Sequence, residues 1–321
     1  MTMVKSKPVF VGIDVGKETF DYCLRPGGEA GTLPCTSEGI GELLALLLRQ
    51  SCVELIVMEA TGGYEKKIAR ELLGAKLQTA IVNPRQIRNF AKASGRQAKN
   101  DRLDAEVIAH FAEGIRPEVR PLPSAELEVF MELVARRQQL IGCQTAEKNR
   151  LHTARGPKVR KSINAMLKLL KQQLAELDDE IDRTIENSPV WRVKSELLQS
   201  MPGVGETTAR VLLAECPELG ELNRHEAAAL IGLAPYDHDS GKCKGLRCIS
   251  GGRATVRSAL YMAALSATRV NERMRRFFQR LRKAGKPFKV AITACMRKLL
   301  LILNAILKTG QPWRENQPLQ A

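Results

Sequence analysis

Apolar residues fall in short unbroken runs over the first eighty positions and at three-to-four spacing after that. Val9-Phe10-Val11-Gly12-Ile13, Leu55-Ile56-Val57-Met58 and Thr79-Ala80-Ile81-Val82 are bounded by turn formers, which predicts buried strands. Residues 19–24 predict another strand, reached through a tight turn at Gly16-Lys17, and Gly27-Gly28 with Gly31 mark a further turn. Amphipathic stretches at 40–49 and 65–73 predict helices, and Asn83-Pro84 closes the strand at 79–82. Residues 101–113 predict a helix with Asn100 as its N-cap. Two hairpin-joined strands followed by helix–strand–helix–strand predict a mixed sheet covered by helices.

The pattern changes at residue 124. Ile163, Leu167, Leu170, Leu174, Leu177 and Ile181 alternate steps of four and three, a heptad seam. Gly156-Pro157 separates that helix from an earlier one at 125–154. A helical hairpin within the chain and a coiled coil between chains both satisfy the seam, and the charged outer positions favour the second. A third region begins near Val193. Its segment Met201-Pro202-Gly203-Val204-Gly205 joins two helical stretches in a helix–hairpin–helix pattern, although a plain helical corner would read the same way. Gly203 and Gly205 would let backbone amides approach a phosphate. An irregular loop at 234–253 precedes basic helices at 255–268 and 272–282 and a last helix at 289–308. The expected domains are 1–123, 124–192 and 193–321.

Composition narrows the partner. The chain has 321 residues, a net charge of +15 and a pI of about 9.6, which favours a polyanion. Residues 240–298 carry sixteen basic side chains and one acidic one, Glu272. Eight cysteines lie scattered without a CxxC pair, arguing against a zinc site or a disulfide framework and for reduced thiols. Residues 1–8 are too short and polar for a signal peptide, and the longest apolar stretch, 299–307, is far below spanning length. A cytoplasmic protein with no membrane partner is expected.

Four acids stand out against this basic background. Asp14 ends the first apolar run, Glu59 follows the second, and Asp101 and Asp104 share one helix face. Carboxylates at strand ends and on one helix face can converge on a hard divalent cation, Mg²⁺ or Mn²⁺. Gly12-Ile13-Asp14-Val15-Gly16 occurs both in ribonuclease-H-like nucleases and in sugar-kinase ATPases; no second glycine-rich phosphate loop supports the latter. Taken singly, Glu59 also reads as a helix N-cap acid, and Asp101 and Asp104 as favourable charge at a helix start. Arg85, Arg88, Lys92, Arg96 and Lys99 form a basic stripe leading to the acid pair, suited to a nucleic-acid backbone. In the 234–253 loop, Ser240 lies between Asp239 and Gly241, and Lys242, Lys244, Arg247 and Arg253 surround it, with Arg257 beyond. An activated serine there would be a nucleophile held among phosphate-binding cations; an Asp-Ser-Gly turn is the plainer reading, and Ser250 sits in an equally glycine-rich setting.

These pieces occur in one order: Gly12-Ile13-Asp14-Val15, Met58-Glu59-Ala60-Thr61-Gly62, Lys99-Asn100-Asp101-Arg102-Leu103-Asp104-Ala105, Pro202-Gly203-Val204-Gly205, Ala234-Pro235, Asp239-Ser240-Gly241, and Gly251-Gly252-Arg253 with Val256-Arg257 and Leu260-Tyr261-Met262. The chain thereby resembles the DEDD transposases of bacterial insertion sequences, the family called insertion sequence one-ten, over nearly its whole length. The resemblance implies an α/β RuvC-like (ribonuclease-H-like) domain, a helical coiled-coil connector and a mostly α transposase domain. It implies that Asp14, Glu59, Asp101 and Asp104 bind metal and that Ser240 is the nucleophile. It also implies donor and target DNA as substrates, a structured guide RNA (a bridge RNA), a homo-oligomer (dimer or tetramer), and a bacterial, nucleoid-associated location. The expected function is RNA-guided cutting and rejoining of DNA. A RuvC-like endonuclease using water and an inert nucleic-acid-binding scaffold are the rival readings.

Overall fold

The computed structural model of the protein describes residues 7–95, 101–237, 245 and 247–315, and for 101–103 the backbone only. Residues 1–123 and 124–321 form two compact units.

The first unit is a five-stranded mixed sheet between two pairs of helices. Its strands are β1 (Val9–Val15), β2 (Thr19–Arg25), β3 (Ala30–Pro34), β4 (Val53–Glu59) and β5 (Thr79–Val82), in the order β3-β2-β1-β4-β5. β1 pairs antiparallel with β2, and β2 with β3, whereas β1, β4 and β5 run parallel. Side chains alternate across the sheet, so each strand serves two cores. Val11, Ile13, Ile56 and Met58 face α1 (Ser37–Leu48) and α2 (Glu65–Gly74), where Ile40, Leu43, Leu47, Ile68 and Leu72 meet them. Phe10, Leu55, Val57 and Val82 face α3 (Pro84–Ala93) and α4 (Asp101–Ile115), through Ile87, Ile108 and Phe111. β3 replaces the turn expected around Gly31. Gly31 pairs with Tyr22, and the phenol fills the space a side chain would take, 2.8 Å from an ideal Cβ.

The second unit opens with two long helices, α5 (Ala125–Thr153) and α6 (Pro157–Asn187), joined by three residues. The heptad seam packs against α5 of the same chain: Ile163, Leu170 and Ile181 are buried and Leu167, Leu174 and Leu177 half-buried. The seam is therefore occupied within the chain, where the charge pattern had favoured a partner chain. At the hairpin's base, Phe130, Val134, Ile181 and Ile185 join the core of α7 (Pro189–Gln199), α8 (Glu206–Glu215), α9 (Arg224–Ile231), α10 (Ala254–Val270), α11 (Glu272–Lys283) and α12 (Phe288–Thr309). A two-stranded ribbon, β6 (Pro235–Tyr236) with β7 (Cys248–Ile249), sits between α9 and α10 in the chain.

The helix α12 corrects the apolar-length estimate made from the sequence. It is long and apolar enough to cross a membrane, yet of its most apolar 18-residue window, with mean hydropathy 1.9, 56% is buried here. Ile292, Cys295, Leu299, Leu300 and Leu303 form the centre of the second unit's core.

Candidate active site

Asp14 and Glu59 stand at the carboxyl ends of neighbouring parallel strands. Ile13 pairs with Met58, so the two acids occupy the next position on each strand. By alternation Asp14 shares a face with Gly12, and Glu59 with Leu55 and Val57, the face covered by α3 and α4. Gly12 explains how α4 comes so near. An added Cβ there would lie 2.2 Å from the Ala109 amide nitrogen and 2.3 Å from the Ala105 carbonyl oxygen. Only a residue without a side chain lets helix backbone rest on strand backbone. Asp104 adjoins that contact, one residue before Ala105, and is half-buried, as are Asp14 and Glu59. Asp101 lies three positions earlier, at the first residue of α4; its side chain falls outside the described residues.

The donor set is all carboxylate oxygen, which fits a hard divalent cation and not a soft one. Among the described residues no three His, Cys, Asp or Glu side chains are grouped to hold an ion. Asp14, Glu59 and Asp104 thus share a sheet end and a face without forming a finished cage by themselves.

Of the basic stripe, Arg85, Arg88 and Lys92 lie exposed along one face of α3, whose opposite side buries Ile87. Arg96 and Lys99 lie outside the described residues.

In the second unit the two loop glycines differ. Gly203 has φ +102° and packs on α10, where an added Cβ would lie 2.5 Å from the Ala267 Cα. Its missing side chain serves helix packing rather than the phosphate approach expected of it. Gly205 is the N-cap of α8, with open space at its Cα. The ribbon's base is tightly built. Gly252 approaches the Gly232 nitrogen so closely that an added Cβ would lie 2.2 Å away, and the Arg253 amide donates to the Leu230 carbonyl at 3.1 Å. Arg253 grips Glu218 through both guanidinium arms, at 2.7 and 2.6 Å, and donates to the Glu215 carbonyl. That carboxylate holds the Arg253 pKa above its usual value, against the opposing effect of burial. Arg257 donates to the carbonyls of Ile231 and Gly251, and Arg247 pairs with Asp237. Arg253 and Arg257 thereby fasten the loop's ends, while Arg247 stays largely exposed. Ser240, Lys242 and Lys244 lie outside the described residues; Ser250 is exposed just after β7.

Comparison with known proteins follows this division of the chain. A family model described as a transposase, of the DEDD type named for IS110, matches residues 11–154. A second, described as the transposase IS116/IS110/IS902 family, matches residues 195–279. The chain belongs to the IS110 family of transposases. Pilin gene-inverting proteins of Moraxella lacunata and Moraxella bovis are each 28% identical to it over 316 residues, covering 95% of this chain and 97% of theirs. An uncharacterized 43.6 kDa protein of insertion element IS110 from Streptomyces coelicolor is 28% identical over 162 residues, covering 49% of this chain and 38% of that one. The protein is accordingly a DNA transposase or recombinase, DNA is its partner, and membership points to use of a divalent metal ion.

Two acids of this transposase went unnoticed in the sequence. Asp21 is the cross-strand partner of Asp14 in the β1–β2 register, on the same sheet face. The Thr32 hydroxyl, from its own partner position on β3, donates to the Asp21 carboxylate. The hairpin turn at Gly16-Lys17 fixed that register and was the signal available for it. Glu65 is the other. It is 5% exposed, and its Oε2 accepts from the amides of Thr61 at 3.0 Å and Gly63 at 2.9 Å. The Thr61 hydroxyl in turn donates to the Glu59 carbonyl at 3.1 Å. Glu65 thereby ties down the loop leaving Glu59, and those two amides already serve a carboxylate rather than an incoming phosphate.

Proposed function

We propose that this transposase cuts and rejoins DNA through a covalent serine–phosphate link, with Ser240 as nucleophile and Asp14, Glu59, Asp101 and Asp104 holding Mg²⁺ or Mn²⁺. The observation that supports it is the placement of Asp14, Glu59 and Asp104 at one sheet end and one face, with α4 pressed onto β1 at Gly12. Asp101, a helical turn before Asp104, would complete the set. When bound, the divalent ion supplies charge neutralisation and polarisation of the scissile phosphate.

The step attributed to Ser240 balances without an outside energy source. The hydroxyl loses its proton, its oxygen forms a bond to phosphorus, and the strand's ester oxygen leaves as a hydroxyl that takes a proton. A hydroxyl from a partner strand then attacks the same phosphorus and expels the serine. The phosphodiester's energy is retained, whereas attack by water discards it. Relatives named for gene inversion support an outcome in which strands are rejoined and not merely cut. Arg85, Arg88, Lys92, Arg96, Lys99, Lys242 and Lys244 would guide the DNA backbone, with the open N-cap at Gly205 as a further phosphate contact. Guidance by a structured RNA rests on likeness to the family. The acids and Ser240 belong to separate compact units; drawing them from different protomers of a dimer or tetramer would couple cutting to assembly.

Incubation with element-end DNA and Mg²⁺, followed by denaturing electrophoresis, tests the reading. Wild type should give a protein–DNA adduct, Ser240→Ala none with binding retained, and Asp104→Asn neither adduct nor cleavage. Adducts from Ser240→Ala would reject the nucleophile, and Mg²⁺-dependent cutting without any adduct would favour a water-using nuclease. Sequencing of copurifying RNA should return one defined species if guidance holds.

A further inference from the structure

The α5–α6 hairpin has a strongly polarised charge that the catalytic reading does not use. Its helices have 29 and 31 residues, so each runs about 45 Å. Only base residues such as Phe130, Val134, Ile181 and Ile185 join the unit's main core. Toward the tip the helices bury only their shared seam. Residues 176–186, near the base, hold six acids (Glu176, Asp178, Asp179, Glu180, Asp182, Glu186) against one arginine. Residues 148–161, around the tip, hold six Lys and Arg and no acid.

Local structure strengthens the positive end. The carbonyls that end α5 would ordinarily present negative potential. Here the Arg160 guanidinium covers them, donating to Leu151 O at 3.0 Å and Ala154 O at 2.9 Å. α6 begins at the same place, and its N-cap, Gly156, offers no side chain to the first amides, which leaves the positive helix end uncovered by a cap. Lys148, Leu151, His152 and Arg160 line a cleft of about 300 Å³ between the helix ends, ample for a phosphate group. Arg155, Lys158 and Lys161 are exposed around it.

We propose that the hairpin tip is a nucleic-acid contact that binds the phosphodiester backbone, built from residues other than the catalytic acids and the 240–298 basic region. At the base Asp178 and Asp182 are paired with Arg137 and Arg210, so the hairpin's unbalanced positive charge lies at the tip and draws the backbone there. DNA duplex and folded RNA share the chemistry recognised, and the two are separated by experiment. The proposal stands independently of the metal and serine chemistry, because binding is measured with chelator present.

The full chain and its Arg155→Gln/Lys158→Gln/Lys161→Gln variant are titrated with a duplex DNA and with an RNA hairpin over a salt series. Loss of three phosphate contacts lowers the log–log salt slope by about 2–3 and weakens binding at least about tenfold at physiological salt, for whichever nucleic acid occupies the tip. A Lys17→Gln/Arg49→Gln/Arg120→Gln variant, with equal loss of exposed charge in the first unit, should change the slope far less. Lys158 and Lys161 should also become protected from acetylation when nucleic acid binds. A slope unchanged in both titrations, or changed equally by the control, overturns the proposal. So does a defect traced by sedimentation to lost self-association, since the tip would then be contacting a second copy.

Discussion

At the scale of single residues, the candidate-site end of the sheet depends on side chains that the acid motif does not name. Glu65 holds two amides of the loop after Glu59 from a buried position. In Glu65→Gln the amide oxygen still accepts both bonds, so strand cleavage should stay near wild type. In Glu65→Ala the two donors lose their acceptor, at roughly 1–3 kcal/mol of stability. Its cleavage rate should fall at least about tenfold, as expected when a reacting group is misplaced by a fraction of an ångström. A Glu65→Ala enzyme of normal rate would leave Glu65 a purely structural acid. Arg210 is a different case. It is 6% exposed and binds Asp182 and Asp178, while Arg137 also binds Asp178. Its guanidinium joins α8 to the hairpin's base. Arg210→Met takes the arginine away from Asp182 and leaves Asp178 with Arg137. The cost should be on the order of 2–3 kcal/mol in chemical unfolding, below the ~3–5 of a fully buried pair because Asp182 is nearly half exposed.

At the scale of elements, backbone contacts set the geometry, and these are the features a sequence hides best. Gly12 reads as part of an apolar run, and nothing in the run tells that α4 rests on it. Gly12→Ala should cost at or above the ~3 kcal/mol upper end of overpacking, because helix backbone and not a flexible side chain stands in the way. A variant unfolding at the wild-type temperature would show that α4 can shift freely. The strands β1, β2, β4 and β5 were legible from unbroken apolar runs. β3 was not, since Ala30-Gly31-Thr32 has little strand character and depends on Tyr22 to fill its gap. α9 escaped for a related reason: it is eight residues long, and its capping box, Asn223 with Glu226, is visible only once a helix is sought there. The seam of α6 showed its period but not its partner, because periodicity states which face is buried and not against what. The ribbon gives an element-scale test of the site. Its ends are fixed by the Gly232–Gly252 contact and by Arg253 and Arg257. Replacing 238–246 with an Asn-Gly turn should therefore leave the unfolding temperature unchanged while abolishing adduct formation.

At the scale of the whole molecule, the two compact units divide the four candidate metal-binding acids from most of the excess positive charge. The acids lie in residues 1–123, whereas most of the excess positive charge lies beyond residue 124. Each unit has its own buried core: Val11, Ile13, Ile56 and Met58 centre one, and Leu299, Leu300 and Leu303 the other. Separate expression should give two independently folding proteins, and metal should act on only one. An ion bound by the native acids and not by the unfolded chain stabilises by about 2.7 kcal/mol at a hundred times its Kd. For a unit of this size, that corresponds to a rise in Tm of roughly 8–15 °C. Mn²⁺ should thus raise the Tm of 1–123 and leave 124–321 unmoved. Asp14→Asn and Asp104→Asn should each remove most of the rise, because each deletes a charged ligand without changing side-chain volume. If Mn²⁺ leaves 1–123 unmoved while the full chain still cleaves DNA, the ion must be captured only with the substrate's phosphate as a ligand. Three carboxylates that share a face without closing into a cage would then be waiting for that phosphate to complete them.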